Sequence, residues 1–195
     1  MQSDLKNKLV IWASTNNLRW LINFHDYVRG LLKDKVRNLE TAKIKDIKGK
    51  LQKEALHDYD RIIHINTLLM MYSYLEEWLY QYWKLYVPSV DLGNNRGSLG
   101  RFRYVVEKLG VDLGSRLWKD LKDTEEIRNC LLHANGRISL LKNPKKVEDI
   151  IKKGNSGLGI NKDRVVISCH YLQGFNRSIC RLFDTMNKYC NKHRL

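Results

Sequence analysis

Proline is scarce, with only Pro88 and Pro144 in 195 residues. Few φ-restricting, donor-less residues combined with long mixtures of polar and apolar side chains point to helices, and 43% hydrophobic with 29% charged residues excludes a disordered chain. The four cysteines, Cys130, Cys169, Cys180 and Cys190, occur without close pairs, which excludes a disulfide framework and leads us to expect free, mostly buried thiols. Long apolar runs are also missing. The most apolar stretch, Ile65 to Tyr86, is interrupted by Asn66, Ser73, Glu76, Glu77 and Gln81, whereas a membrane span needs ~20 largely apolar residues. Near the start, Leu9 to Ala13 is too short for a secretory segment, so a cytoplasmic protein is expected. No internal repeat is present, and the length suits one domain, or one domain with an appended helical arm.

Acidic residues are the minority charge, 21 against 35 Lys and Arg, which gives a net charge of +14. Such a balance favours a polyanionic partner, nucleic acid first and an acidic membrane surface second. The excess is uneven: residues 1–53 carry +7, residues 54–140 carry −1 and residues 141–195 carry +8. A core and any chemistry are therefore expected in the middle, and a positive surface at the two ends.

Hydrophobic spacing predicts a first helix over 14–35, with Leu18, Leu21, Ile22, His25, Val28, Leu31 and Leu32 inward, Arg19, Arg29 and Lys33 outward, and Ser14 or Thr15 as its cap. The stretch 37–58 is sparse in apolar residues and reads as a solvated helix interrupted near Gly49, either a solubilising face or a phosphate-binding one. Residues 59–86 carry the strongest helical pattern, a core helix whose Ile62, Ile65, Leu68, Tyr72, Leu75, Leu79, Tyr82 and Tyr86 recur at three and four. Its aromatic stripe suits packing or a dimer face, and stacking on bases is the alternative. Helices are predicted over 98–109, 113–134 and 145–153, a small β-hairpin over 157–168 and a last helix over 169–192. The fold class expected is mainly α, an antiparallel helical bundle with a small β-hairpin before the last helix. A basic helical arm (1–58) would precede a helical domain (59–195).

Several chemical readings fail on spacing. The tail residues Cys180, Cys190 and His193 with Cys169 and His170 supply only one short Cys/His pair, so no metal and no cofactor is expected. The loop 91–100 (DLGNNRGSLG) is glycine-rich but lacks the closing Gly-Lys-Ser/Thr of a P-loop. It is either a helix connector or, with Arg96 inside it and Arg101 and Arg103 just beyond, a phosphate-binding segment. Cys130 lies three residues before His133, but its apolar neighbours favour a buried thiol over a nucleophile. Glu76–Glu77 and Glu125–Glu126 read as surface charge or as ion-pair partners of Arg128.

The most informative stretch is 125–138, EEIRNCLLHANGRI, where Arg128, Asn129 and His133 stand among Ile127, Cys130, Leu131 and Leu132. At ~100° per residue Asn129 and His133 share a helix face, while Arg128 lies ~140° round from His133, so one helix alone makes an awkward site. The run Arg-Asn-x-x-x-His, preceded by Glu-Ile and followed by Asn-Gly, resembles the HEPN family, whose members carry an Arg-x(4 to 6)-His motif. Tyr72 to Glu77 on the preceding helix, the connector, the motif helix and the last apolar helix follow the family's order over about 59–190; residues 1–58 have no counterpart. The resemblance implies a bundle that dimerises with two motifs facing across a cleft. Many members are metal-independent ribonucleases in which the RNA 2′-hydroxyl attacks the adjacent phosphate and leaves a 2′,3′-cyclic end. Carried over by position, His133 would be the acid or base, Arg128 the phosphate binder and Asn129 the orienting group, with Arg96, Arg101, Arg103 and Arg137 as further contacts to RNA phosphate. Antitoxin-paired family members often have a Tyr two residues after the motif His; Asn135 stands there, so control by modification of that residue is not expected.

Two functions follow as expectations. One is a HEPN-type RNA endonuclease, a toxin or antiphage effector acting as a homodimer, with an antitoxin or defence-complex protein as a further partner. The other is a non-catalytic module of the same type that binds nucleic acid or protein.

Overall fold

A computed structural model of the chain describes residues 2–41, 47–92, 98–153 and 157–193. The architecture is mainly helical: α1 (Gln2–Thr41), α2 (Ile47–Tyr86), α3 (Ser98–Lys108), α4 (Gly114–Ala134), α5 (Pro144–Lys152) and α6 (Cys169–His193). A 3-10 turn at Ile138–Leu140 follows α4, and a two-stranded antiparallel hairpin, β1 (Leu158–Asn161) and β2 (Arg164–Ile167), precedes α6. The hairpin pairs Leu158 with Ile167 and Asn161 with Arg164. Its tip residues Lys162 and Asp163 both have positive φ, 45° and 65°, the handedness that two-residue hairpin loops require. No helix among the described residues is long and apolar enough to cross a membrane.

The core forms where α2, α3, α4 and α6 meet. Leu68, Met71, Leu75 and Leu79 of α2, Val106 of α3, Leu121 and Ile127 of α4, and Ile179 and Leu182 of α6 are almost fully buried, each removing apolar surface worth roughly 1.5–3 kcal/mol from water. Tyr82 is buried with them and donates its hydroxyl to Oδ1 of the buried Asn187, so neither polar group is stranded.

Helix directions depart from a uniformly antiparallel bundle. Arg29 pairs with Asp60 at 2.9 Å and the Tyr74 hydroxyl donates to Ala13 O at 3.2 Å, so α1 and α2 run antiparallel. Glu125 beside Leu99 and Arg103 over Trp118 show the same for α3 and α4. By contrast, His64 meets Cys169, Tyr72 stacks on Phe175 and Tyr82 meets Asn187, so α6 is parallel to α2. The segment through α5 and the hairpin is what brings the chain back to the starting end.

Both long helices exceed their predicted spans. α1 runs through Ser14 and Thr15, which therefore do not cap it: Ser and Thr are tolerated in a helix interior when nothing else breaks it. α2 runs through Gly49, because a single glycine costs only about 1 kcal/mol and α1 packs along this helix. The boundary expected between 58 and 59 falls inside α2. Leu31 and Ile62, expected inward, are exposed, and Arg29, expected outward, is turned in toward Asp60. Most described side chains of α2 before Asp58 are exposed, so the α1–α2 hairpin extends beyond the bundle as an arm, and it carries most of the basic residues between Lys33 and Lys53.

Candidate functional site

The motif occupies the last turns of α4, and its stop is built locally. Asn135 adopts the left-handed conformation (φ 50°), as does Gly136 (φ 74°), and Gly136 N donates back to Cys130 O at 3.0 Å. Asn135 N donates to the same oxygen, a six-to-one bond, so a terminal helix carbonyl is satisfied, and Arg164 Nη1 covers the Asn135 carbonyl at 3.1 Å. The chain then joins the hairpin: Ile138 N donates to Asp163 O, Val165 N donates to Gly136 O, and Arg137 bridges to Arg164. The Asp163 carboxylate accepts Ser139 N at 3.0 Å and Ser139 Oγ at 2.5 Å. These two bonds hold its carboxyl below the ordinary carboxylate value, with Arg137 and Arg164 adding charge in the same direction.

The three motif residues divide between two environments. Arg128 is half-buried between α4 and α2, its guanidinium 5.2 Å from the Tyr72 ring centroid. Its Nη1 donates to Asn129 Oδ1 at 3.0 Å, and Nη2 stands 3.9 Å from Glu76 Oε2. An aromatic face, an amide oxygen and a carboxylate thus fix a planar cation that keeps further donors for an anion. His133, one turn beyond Asn129, is exposed. It lies five residues past Arg128, ~7.5 Å along the axis and ~140° around it, so the two groups leave the helix in different directions.

The other candidate cations are dispersed. Arg137 is exposed in the turn after α4, close in sequence to His133 and bridged to Arg164. Arg103 is tied to Glu107 at 2.8 Å and stacked over Trp118, fifteen residues before His133 on α4, or ~22 Å along that helix. Arg101 is half-buried on the same short helix. Arg96, with the rest of 93–97, lies outside the described residues.

The inner face of α4 is structural. Cys130 is fully buried, and burial pushes its thiol above the ordinary value, which removes it as a nucleophile. Glu125 is a correction to the surface reading: it is buried, accepts Leu99 N at 3.1 Å and is paired with Lys122. It satisfies a first-turn amide of α3, a role invisible without the tertiary contact. Glu126 pairs with Lys146 at 2.7 Å, and Glu76 is the carboxylate that reaches Arg128.

Sequence reasoning left His25 and His64 without partners and set Cys169 beside the tail residues. In the fold these three meet instead, from α1, α2 and the first residue of α6. Burial holds His64 below the ordinary histidine value, an effect that Asp60 opposes and that Arg29 and His25 reinforce. No local signal could have found the trio, since its members lie far apart in the chain. Among known proteins, no family model, no curated protein and no solved structure matches this chain.

Proposed function

We propose that the protein is a metal-independent RNA endonuclease of HEPN type, with Arg128, Asn129 and His133 as its catalytic residues. The observation that carries the reading is the bracing of Arg128 by Tyr72, Asn129 and Glu76 within one helical turn and a half of an exposed histidine. A fixed guanidinium suits the phosphate oxygens and the charge that develops on them, and a solvent-facing imidazole suits proton transfer at the 2′-hydroxyl and the leaving oxygen. In that reaction the 2′ oxygen forms the new bond to phosphorus, the P–O5′ bond breaks, and the protons pass through imidazole.

The outward divergence of Arg128 and His133 is why the reading includes a homodimer, in which each phosphate is met by groups from both protomers. The arm at the α1–α2 end and the cations at Arg137 and Arg164 would gather the polyanion. A toxin or antiphage role, with an antitoxin or defence-complex protein as regulator, accords with an RNase whose substrate is cellular RNA.

The test incubates purified protein with mixed RNA and no added divalent cation, beside Arg128→Ala and His133→Ala. Cyclic-phosphate ends that both substitutions abolish are expected; cleavage that requires magnesium, or equal activity in the variants, overturns the reading.

A second reading rests on α1. Trp20, Phe24, Tyr27 and Leu31 recur at four, three and four on the face opposite the buried Leu18 and His25, and each is more than half exposed. A non-catalytic module that holds nucleic acid or protein would use such a face. It predicts binding that survives His133→Ala and, for nucleic acid, falls steeply with salt.

A further inference from the structure

His25, His64 and Cys169 each offer one ligand atom, and the three atoms lie within 4.8 Å of one another. His25 and His64 are 3% and 5% exposed, with ring centroids 5.3 Å apart. The His64 Nε2 atom stands 3.4 Å from Cys169 Sγ. Tetrahedral zinc, with Zn–N of ~2.0–2.1 Å and Zn–S of ~2.3 Å, separates a nitrogen and a sulfur ligand by ~3.5 Å, so this edge already has the required length.

The surrounding groups match what a metal needs of its histidines. Asp26 Oδ1 lies 3.0 Å from His25 Nδ1, and Asp60 Oδ2 lies 3.8 Å from His64 Nδ1. The carboxylate on His25 Nδ1 fixes the tautomer that leaves its Nε2 with the lone pair free, whereas Asp60 at 3.8 Å is beyond hydrogen-bond reach and acts on His64 through its charge. In His25 that Nε2 is buried and has no hydrogen-bond partner. An orphaned buried acceptor of this kind is destabilising unless something occupies it. Arg29 bonds Asp60 at 2.9 Å and donates Nη1–H to Cys169 Sγ, which places a charge-assisted donor on the sulfur and leaves its other lone pairs available. Beside the trio opens a cleft of about 540 Å³, lined by Arg61, Asn161, Val166 and Ser168 among others.

We propose that His25 Nε2, His64 Nε2 and Cys169 Sγ bind one Zn²⁺, with the fourth position held by water from the cleft. Two nitrogens and one thiolate are a borderline-soft donor set that selects zinc over magnesium or calcium. Binding forms the Zn–S bond as the Cys169 thiol releases one proton to solvent; nothing is oxidised or reduced. Because the ligands come from α1, α2 and α6 at the base of the basic arm, the ion ties that arm to the bundle. Asp26, Asp60 and Arg29 are positioning residues. The site shares no residue with Arg128, Asn129 and His133 and does not depend on how they act.

The experiment uses the full chain without a polyhistidine tag, stripped with chelator, dialysed and titrated with Co²⁺ as a spectroscopic probe. One equivalent is expected, with a thiolate-to-cobalt charge-transfer band and the intense visible bands of a four-coordinate ion, both erased by one equivalent of Zn²⁺. Cys169→Ser is expected to lose the charge-transfer band, and His25→Ala and His64→Ala to weaken binding at least tenfold, while Cys180→Ser and His170→Ala bind as the parent does. A folded parent chain that takes up no stoichiometric Co²⁺, or a charge-transfer band that survives Cys169→Ser, overturns the proposal. The first outcome needs no variant, so a substitution that fails to fold does not blunt the test.

Discussion

Arg128, Asn129 and His133 come from six consecutive residues of α4, whereas His25, His64 and Cys169 come from three helices and lie as far apart as positions 25 and 169. The first group sits at a helix end, with its histidine exposed and its arginine braced from α2. The second lies at the meeting of α1, α2 and α6, with both histidines buried, Cys169 half-buried and a carboxylate beside each histidine. Exposure leaves the first free to meet a substrate, and burial suits the second to hold an ion and a tertiary junction. Polar side chains in a helical bundle thus separate into those that stay open to solvent and those that packing consumes.

The largest effects expected are on the first group. Under the ribonuclease reading, His133→Ala and Arg128→Ala each lower single-turnover cleavage by about 10²–10⁴-fold, the usual contribution of a positioned proton-transfer group or anion donor. Arg128→Lys recovers little, because an ammonium keeps the charge but loses the planar fork. His133→Ala leaves the unfolding free energy, from denaturant titration, within about 0.5 kcal/mol of the parent, since the side chain is exposed. A large stability loss at His133 would break the contrast between the two groups.

Next comes the hidden face of the motif helix. Glu125→Ala strands the buried Leu99 amide and is expected to cost about 1–3 kcal/mol in denaturant unfolding, while Glu125→Gln, which keeps an acceptor oxygen, costs less. Equal losses for the two substitutions would show that charge, and not the α3 amide, is what matters there.

The stop of α4 ranks third. Gly136 has φ of 74°, and an added Cβ would meet Leu131 Cδ2 at 3.4 Å. Gly136→Ala is therefore expected to lower stability by roughly 1–2 kcal/mol, the cost of left-handed backbone in a residue with a side chain. Thermal unfolding measures it, and an unchanged midpoint would mean that the turn relaxes without strain.

The smallest effect concerns Asp163. Its carboxyl in the folded protein titrates below the ordinary 3.8, so its contribution to stability is in place above that pH and is lost as pH falls through the depressed value. An NMR titration is expected to find the midpoint below 3.8 in the parent and closer to it in Ser139→Ala. A parent midpoint at or above 3.8 would remove the Ser139 bonds as its cause.

How much of this was legible in the residues varies by element. The short helices α3, α4 and α5 begin and end within a residue or two of their predicted bounds, because Asn135-Gly136 and Pro144 act on the backbone where they stand. The hairpin was legible for the same reason, since Lys162 and Asp163 turn the chain into the β-branched run Val165-Val166-Ile167. α1 and α2 outran expectation because Ser14, Thr15 and Gly49 break helices only weakly. The polar cluster on α4 could be named because its members are neighbours in sequence, and the bracing of Arg128 by Tyr72 could not, because it crosses between helices.

The sequence alone determined what depends on local backbone chemistry: a mainly helical chain, the ends of its shorter helices, a hairpin before α6 and a polar motif on one helix. Tertiary structure decided the parallel course of α6 beside α2, the burial of Glu125, the inward turn of Arg29 and the meeting of His25, His64 and Cys169. Each of these depends on which surfaces pack together across long stretches of chain. Periodicity reports which face of a helix is apolar, but not which helix covers it, and partners from different elements have no signature in spacing.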